Sequence, residues 1–418
     1  MFAPQPAAGP HPYVAWKHPG FRRYQFVRIA TILGLQMQAV AVAWQVYDLT
    51  RRPLDLGYLG LVQFIPVLAL WPITGLVVDR LDRRQVVSVC IGLYSLAAAT
   101  LAVLSSGHFG GITSVAPLFS ILAFVAAARA FGQPASQALL PHLVPPEDFT
   151  NAVTWTSSLF QLGSITGPAI GGVLIGIVGV PGVYATAAVL CALSSLVART
   201  VTMRPLDTPS PRGHVWDEVW AGVRFLRGQP VVLGAITLDL FAVLLGGAVA
   251  LLPVYARDIL DAGPIGFGVL RASPALGATA MAIWLAFNPV GRNAGRKMFA
   301  AVTLFGIATI VFGVSTNIAL SIGALAISGA ADELSVVVRQ TLIQLGTPDD
   351  MRGRVSAVNF VFIGISNEIG ELESGMAAAA FGTVPAVVLG GLGTLAVVAA
   401  GWFVAPDLRD VDRLEKRA

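Results

Sequence analysis

Apolar runs of about twenty residues, each closed by glycine, proline or charge, recur along almost the whole of this 418-residue chain. About twenty residues of α-helix, at ~1.5 Å per residue, cross the hydrocarbon core of a bilayer. Only helices or a closed barrel satisfy every backbone polar group there, and runs this long and apolar belong to helices. The runs lie at 25–47, 57–79, 85–106, 115–138, 152–177 and 182–203, then at 231–255, 264–288, 298–315, 318–341, 354–381 and 384–405. We therefore expect an all-α integral membrane protein with about twelve transmembrane helices. Its residues are 55% hydrophobic and 12% charged, a balance that no soluble core could bury.

The longest polar interval divides the chain into a first half, 1–203, a linker at 204–230, a second half, 231–405, and a tail, 406–418. Within the linker, Trp216, Val219, Val223 and Leu226 recur at helical spacing opposite Asp217, Glu218, Arg224 and Arg227. That pattern predicts an amphipathic helix lying on the inner membrane surface. The halves also repeat. Setting Pro348 on Pro146 without gaps pairs Asp350 with Asp148, Val355 with Val153, Phe362 with Phe160 and Ser366 with Ser164. Two pseudo-symmetric six-helix bundles, with a substrate site near the midplane between them, form a transporter architecture.

Charge sets the orientation. Lys17, Arg22, Arg23, Arg80, Arg83, Arg84, Arg296 and Lys297 fall on one set of loops and ends, against Arg51, Arg52 and Arg257 on the other. The positive-inside rule then places both termini in the cytoplasm. The net charge of +4 follows from these loops, so no nucleic-acid partner is implied. The Pro-rich start, MFAPQPAAGPHPY, lacks the basic region and cleavage site of a removable leader, so the first span is expected to act as its own signal. Cys90 and Cys191 sit inside apolar runs and read as small buried hydrophobes. Of the five histidines, His11, His18 and His214 are terminal or in the linker, and none belongs to a cluster with metal-ligand spacing. No metal, cofactor or enzyme activity is expected.

Against this apolar background the acids stand out. The stretch 348–375 reads PDDMRGRVSAVNFVFIGISNEIGELESG and carries Glu368, Glu371 and Glu373 at span depth. An ionised side chain at the bilayer centre costs about 3 kcal/mol on insertion scales, so such residues face a polar interior. At 100° per residue, Glu368 and Glu371 share a helix face while Glu373 points away. The first two are expected on the cavity side, and Glu373 is expected to pair with a neighbouring helix. Asp239 lies ~13 Å into its span, and Asp332 and Glu333 lie within the tenth. All three are cavity candidates. Under the repeat, Glu368, Glu371 and Glu373 fall on Thr166, Ala169 and Gly171.

Three motifs lie in the first half. The loop after the second span reads Gly75-x-x-x-Asp79-Arg80-x-Asp82-Arg83-Arg84. The fourth span carries Arg129 ahead of Gly132-Gln133-Pro134, and the fifth carries Gly163-x-x-x-Gly167-Pro168-x-x-Gly171-Gly172. These resemble, in turn, the G-x-x-x-D-R-x-G-R-R/K loop, the fourth-span arginine motif and the G-x-x-x-G-P-x-x-G-G exporter motif of the major facilitator superfamily. Asp82 stands where that family usually has glycine. The runs Trp44–Thr50, Leu238–Val243, Leu252–Asp258 and Ser366–Glu371 resemble its enterobactin-exporter-like branch.

The resemblance implies a monomeric secondary transporter of the bacterial inner membrane that works by alternating access. Its loop would be a cytoplasmic latch formed by Gly75, Asp79, Arg80, Arg83 and Arg84. Arg129 would take part in proton coupling or, failing that, snorkel to the interface. The cargo would be a small amphiphilic molecule, siderophore-like or drug-like, exported against protons. A proton-coupled importer of the same fold is the alternative, and a non-transporting sensor or scaffold a more distant one.

Overall fold

The computed structural model describes residues 13–108, 111–204, 215–348 and 351–412, with some side chains inside helices left out. Ten helical stretches among the described residues are long and apolar enough to cross a bilayer. One of them, Phe149–Ala198, is broken by Gly179, whose φ of 72° and ψ of 174° belong to no helix. It therefore supplies two spans, 149–178 and 180–198, as the sequence divides it. The helix Arg352–Phe381 supplies the twelfth.

We label the spans α1 (Pro19–Thr50), α2 (Pro53–Arg80), α3 (Arg83–Ser105), α4 (Ala116–Leu139), α5 (149–178) and α6 (180–198). The second half contains α7 (Pro230–Leu245), α8 (Gly263–Phe287), α9 (Ala294–Val314), α10 (Ile318–Gly346), α11 (Arg352–Phe381) and α12 (Thr383–Val404). Starts and stops follow local chemistry. Pro19, Pro53 and Pro230 sit in the first turns of their helices, where the missing N–H costs no hydrogen bond. Asn317 caps α10 by accepting from the backbone N–H groups of Ala319 and Leu320.

Each half packs within itself, α1 against the 149–198 run and α8 against α10. Two seams join the halves, α2 with α11 and α5 with α8. The repeat relates these seams, since it sets α11 on α5. Both are lined with glycine because the backbones nearly touch. A Cβ on Gly172 would stand 2.7 Å from Gly268 Cα, and one on Gly375 would stand 2.8 Å from Gly57 Cα.

The exporter-type motif therefore serves two contacts. Gly163, Gly167 and Gly171 recur every fourth residue and face α1, at Ile32, Gln36 and Met37, while Gly172 faces the other half.

The seventh span is less regular than the sequence suggests. After Leu245 it passes through a short 3-10 turn, one α-helical turn at Leu252–Val254 and a π-turn, Tyr255–Ile259. The break at Gly246 and Gly247 admits α11: a Cβ on Gly247 would lie 2.8 Å from Ser374 Oγ and 3.0 Å from the Gly370 carbonyl.

The linker helix, Val215–Arg227, forms where the amphipathic pattern placed it, and near its end Leu226, with Val223 and Phe225, packs on Val232, Ile236, Ile343, Val355 and Val358, so protein covers that part of its apolar side. Trp220 stays exposed. Residues 205–214 of the linker, and 413–418 of the tail, lie outside the described residues.

Candidate functional site

The helix α11 runs through the centre of the site. It is held on one side by Gly57 and Gly60 of α2 and on the other by the broken end of α7. Gly60 is the point where the acids meet. A Cβ there would lie 2.8 Å from Glu371 Oε2 and 2.9 Å from Glu368 Oε2, so both carboxylates reach one spot on the opposite half. The structure thus brings Glu368 and Glu371 together, at the seam between the bundles. Glu373, two residues on, is half-buried and engages the hydroxyl of its neighbour Ser374.

Two arginines act electrostatically on this pair, Arg129 from α4 and Arg271 from α8. Neither forms a direct ion pair with the carboxylates among the described residues. Arg271 was not singled out from the sequence. An arginine eight residues into an apolar span, ~12 Å deep, carries the same membrane cost as an acid, and that signal was present.

The second-half acids form a separate group. Asp239 on α7 is 2.6 Å from Arg339 Nη1 on α10, and its other oxygen accepts from Ser335 Oγ at 3.0 Å. Both side chains of the pair are almost fully buried, at 7% and 4% exposure. Asp332 stands in the field of this pair and of Glu333, and both Asp332 and Glu333 keep partial access. Asp239 is thus partnered by Arg339 and Ser335, whereas Asp332 and Glu333 keep partial access. Arg339, like Arg271, carried its signal as a cation inside an apolar run.

On the first-half wall lies a cavity of about 760 Å³, reaching from Gln36, midway along α1, to Tyr24 near its start. Arg28, Arg129, Gln133, Gln137 and Gln161 give it polar groups, and Phe160 and Ile32 give it apolar ones. The cavity lies toward the face that carries the basic loops. The opposite face is closed by side chains from both halves. Tyr47 OH donates to Asp258 Oδ2, and Arg257 pairs with Asp48. Arg51 reaches Asp258 at 3.3 Å, and the Arg257 guanidinium lies 5.5 Å from the Trp44 ring centroid. Trp44 in turn stacks on Phe267. None of these contacts was anticipated from the sequence, because the partners in each pair are separated by about two hundred positions.

The loop between α2 and α3 is tied down within its own half. Arg83 reaches the Ala138 carbonyl and His142, and Arg84 donates to Asp82 Oδ2 at 2.8 Å and to the Val201 carbonyl at 3.3 Å. Gly75 and the Asp79 side chain lie outside the described residues, and Arg80 is exposed. Asp82, where the resembling loop has glycine, adopts φ −60° and ψ 113° and caps α3 by accepting from Arg84 N–H. No positive φ is needed, so the turn has no use for glycine. The Arg84 guanidinium holds the Asp82 carboxyl below the usual carboxylate range.

Two glycine-lined seams, a cavity on one face and an ionic closure on the other define a secondary transporter of the two-bundle kind. The chain belongs to the major facilitator superfamily, within the family described as transmembrane secretion effector, whose profile matches residues 11–417. It is similar to the enterobactin exporter EntS of Shigella dysenteriae serotype 1, at 27% identity over 82% of this chain and 81% of that one. The enterobactin exporter EntS of Escherichia coli O1:K1 / APEC is 26% identical over the same shares. Among solved structures, a bacterial homolog to the human lysosomal transporter Spinster, inward-facing and occupied, superposes with a TM-score of 0.70 at 15% identity, covering 96% of this chain and 98% of that one. A D-xylose-proton symporter gives 0.69 at 13%, covering 92% and 98%. At such identities the likeness is one of fold.

Proposed function

We propose that this chain exports a small amphiphilic molecule across a bacterial inner membrane in exchange for protons. Both termini would be cytoplasmic, and the protein would act as a monomer. The observation that carries this reading is the meeting of Glu368 and Glu371 over Gly60, at a seam that must move when the bundles rock. While charged, the two carboxylates attract Arg129 and Arg271, one from each half. Protonation weakens that attraction and changes the balance between the two open states. The acids titrate as a coupled set, so the pair is the functional unit.

Export is favoured over import by the names of the curated relatives and by the exporter-type glycine motif. With the basic loops cytoplasmic, the cavity opens inward and the Asp48–Arg257 and Arg51–Asp258 pairs close the outer side. This is the state in which cargo enters from the cytoplasm. It also accounts for Arg83 and Arg84 holding their described partners within their own half: on this reading the inner latch across the bundles is undone. Asp332 and Glu333 remain candidates for contact with cargo or a second proton, and Glu373 for an interhelical partner. A siderophore-like or drug-like cargo fits the cavity's mixture of carboxamide, guanidinium and aromatic groups.

The test is efflux from proteoliposomes under an imposed pH gradient. Glu368→Gln with Glu371→Gln should abolish gradient-driven movement while leaving downhill exchange of cargo. Gradient-driven efflux that survives in the double variant removes the coupling role. Gradient-driven uptake in the opposite sense by the parent protein establishes the importer instead.

A further inference from the structure

We infer that Arg28 recognises an anionic group of the cargo, so that the transported molecule is an amphiphilic organic anion. This deepens the exporter reading and rests on it for the word cargo, though not for the binding. The described lining of the 760 Å³ cavity includes two arginines, Arg28 and Arg129, and no aspartate or glutamate. The two are not equivalent. Arg129 acts on Glu368 and Glu371, so its charge is already answered from the opposite half. Arg28 is absent from the groups acting on those acids, and it forms no ion pair among the described residues.

Arg28 is nevertheless held in place. Its Nη1 donates to Tyr24 OH at 3.3 Å, and its guanidinium stands 5.8 Å from the Tyr24 ring centroid. Tyr24 OH is itself fixed by donating to the Ser136 carbonyl at 2.8 Å. A guanidinium has five N–H donors, and this bond occupies one. The rest belong to a half-buried cation on a cavity wall, ~13 Å along α1 from Pro19. A planar fork of donors matches a carboxylate, sulfonate or phosphate, and a guanidinium gives up its water more readily than an ammonium does. Gln133 and Gln137, both exposed to the cavity, add neutral hydrogen bonds, and Phe160 offers an aromatic surface. Together they describe a ligand with one charged anionic end and an apolar, hydrogen-bonding body.

Binding is measured by calorimetry on the full chain in dodecyl maltoside micelles, with no gradient. The probes are anilinonaphthalene sulfonate and the uncharged N-phenylnaphthylamine, which share one scaffold and differ by the sulfonate. The parent protein should bind the sulfonate at least about tenfold more tightly than the neutral compound, the discrimination expected of one charge-assisted hydrogen-bonded pair. Arg28→Gln should erase that preference and leave affinity for the neutral compound unchanged. Arg28→Lys, which keeps the charge but loses the fork, should show a preference between those of the parent and of Arg28→Gln. Equal affinities in the parent, an unchanged preference in Arg28→Gln, or equal loss of both probes in Arg28→Gln would overturn the assignment. So would a failure of the parent to bind the sulfonate at all. None of these results touches the exporter reading, which is decided by the glutamate variants under a gradient.

Discussion

Removing Arg339 should cost this protein more stability than any surface change, and the structure gives the size of the effect. The guanidinium is 2.6 Å from Asp239, and the two side chains are 4% and 7% exposed. Only Ser335 Oγ would remain to serve the carboxylate. Breaking a buried pair from one side typically costs about 3–5 kcal/mol, because the surviving charge is stranded without solvent. Arg339→Met should fall in that range. The loss is aggravated by Asp332, whose charge the guanidinium also offsets. Asp239→Asn strands the cation instead, one whose Nε already lacks a hydrogen-bond partner among the described residues. The double variant Asp239→Asn, Arg339→Met removes both charges together and should recover most of the loss, since a neutral buried pair is often as stable as the ionic one. Equilibrium unfolding in mixed dodecyl maltoside and dodecyl sulfate micelles measures all four proteins. Strict additivity, with the double variant as weak as both singles summed, would refute the claim that each group is there to answer the other.

Two further outcomes follow from the closed face and the capped loop. Asp258→Asn removes the charge that pairs with Arg51 and leaves one acceptor oxygen where Tyr47 and Arg51 now use two, so this face should open more often; cysteines placed there for labelling should react several-fold faster, and unchanged rates would mean that the pairs do not hold the face shut. Asp82→Ala should cost about 1 kcal/mol through the lost cap of α3, and Asp82→Gly only a few tenths. Because the folded carboxyl of Asp82 sits below its ordinary value, its contribution is present above the usual carboxylate range and is lost as pH falls through the folded value; unfolding of the parent and of Asp82→Ala should therefore converge at low pH.

Much of the architecture was legible because bilayer thickness sets helix length, and a sequence shows apolar length directly. The face shared by Glu368 and Glu371, and not by Glu373, was likewise readable from 100° steps. The position these acids meet, Gly60, was not, since nothing local marks a glycine in α2 as the partner of an acid three hundred residues away. Three arginines went unread for a different reason. Positive charge in such a chain signals topology first, so Arg28, Arg271 and Arg339 were passed over although their depth along the spans was visible. The Trp44–Asp48–Arg51 cluster and its partners Arg257, Asp258 and Phe267 required the fold, because each contact between the two groups draws one residue from each half. The linker helix shows the limit of an amphipathic pattern: it fixes that one face is covered, but not that α7, α10 and α11 cover its end at Leu226.

The two seams show why the acids lie where they do. By the repeat, α11 and α5 are counterparts, and each presents a glycine-lined contact to the other half, Gly375 on Gly57 and Gly172 on Gly268. Small residues are what let the two helices of each seam approach so closely. In α5 the positions matching Glu368 and Glu371 are Thr166 and Ala169, so that seam carries no charge from these positions. In α11 they are carboxylates, resting on a residue with no side chain to shield them from the moving half. Gly60 keeps the gap open: a methyl group there would stand under 3 Å from both Oε2 atoms and push them aside. On the proposed reading, one seam is a plain hinge surface and the other is the same surface made sensitive to protons. On that reading one repeated helix would supply both the motion and its control.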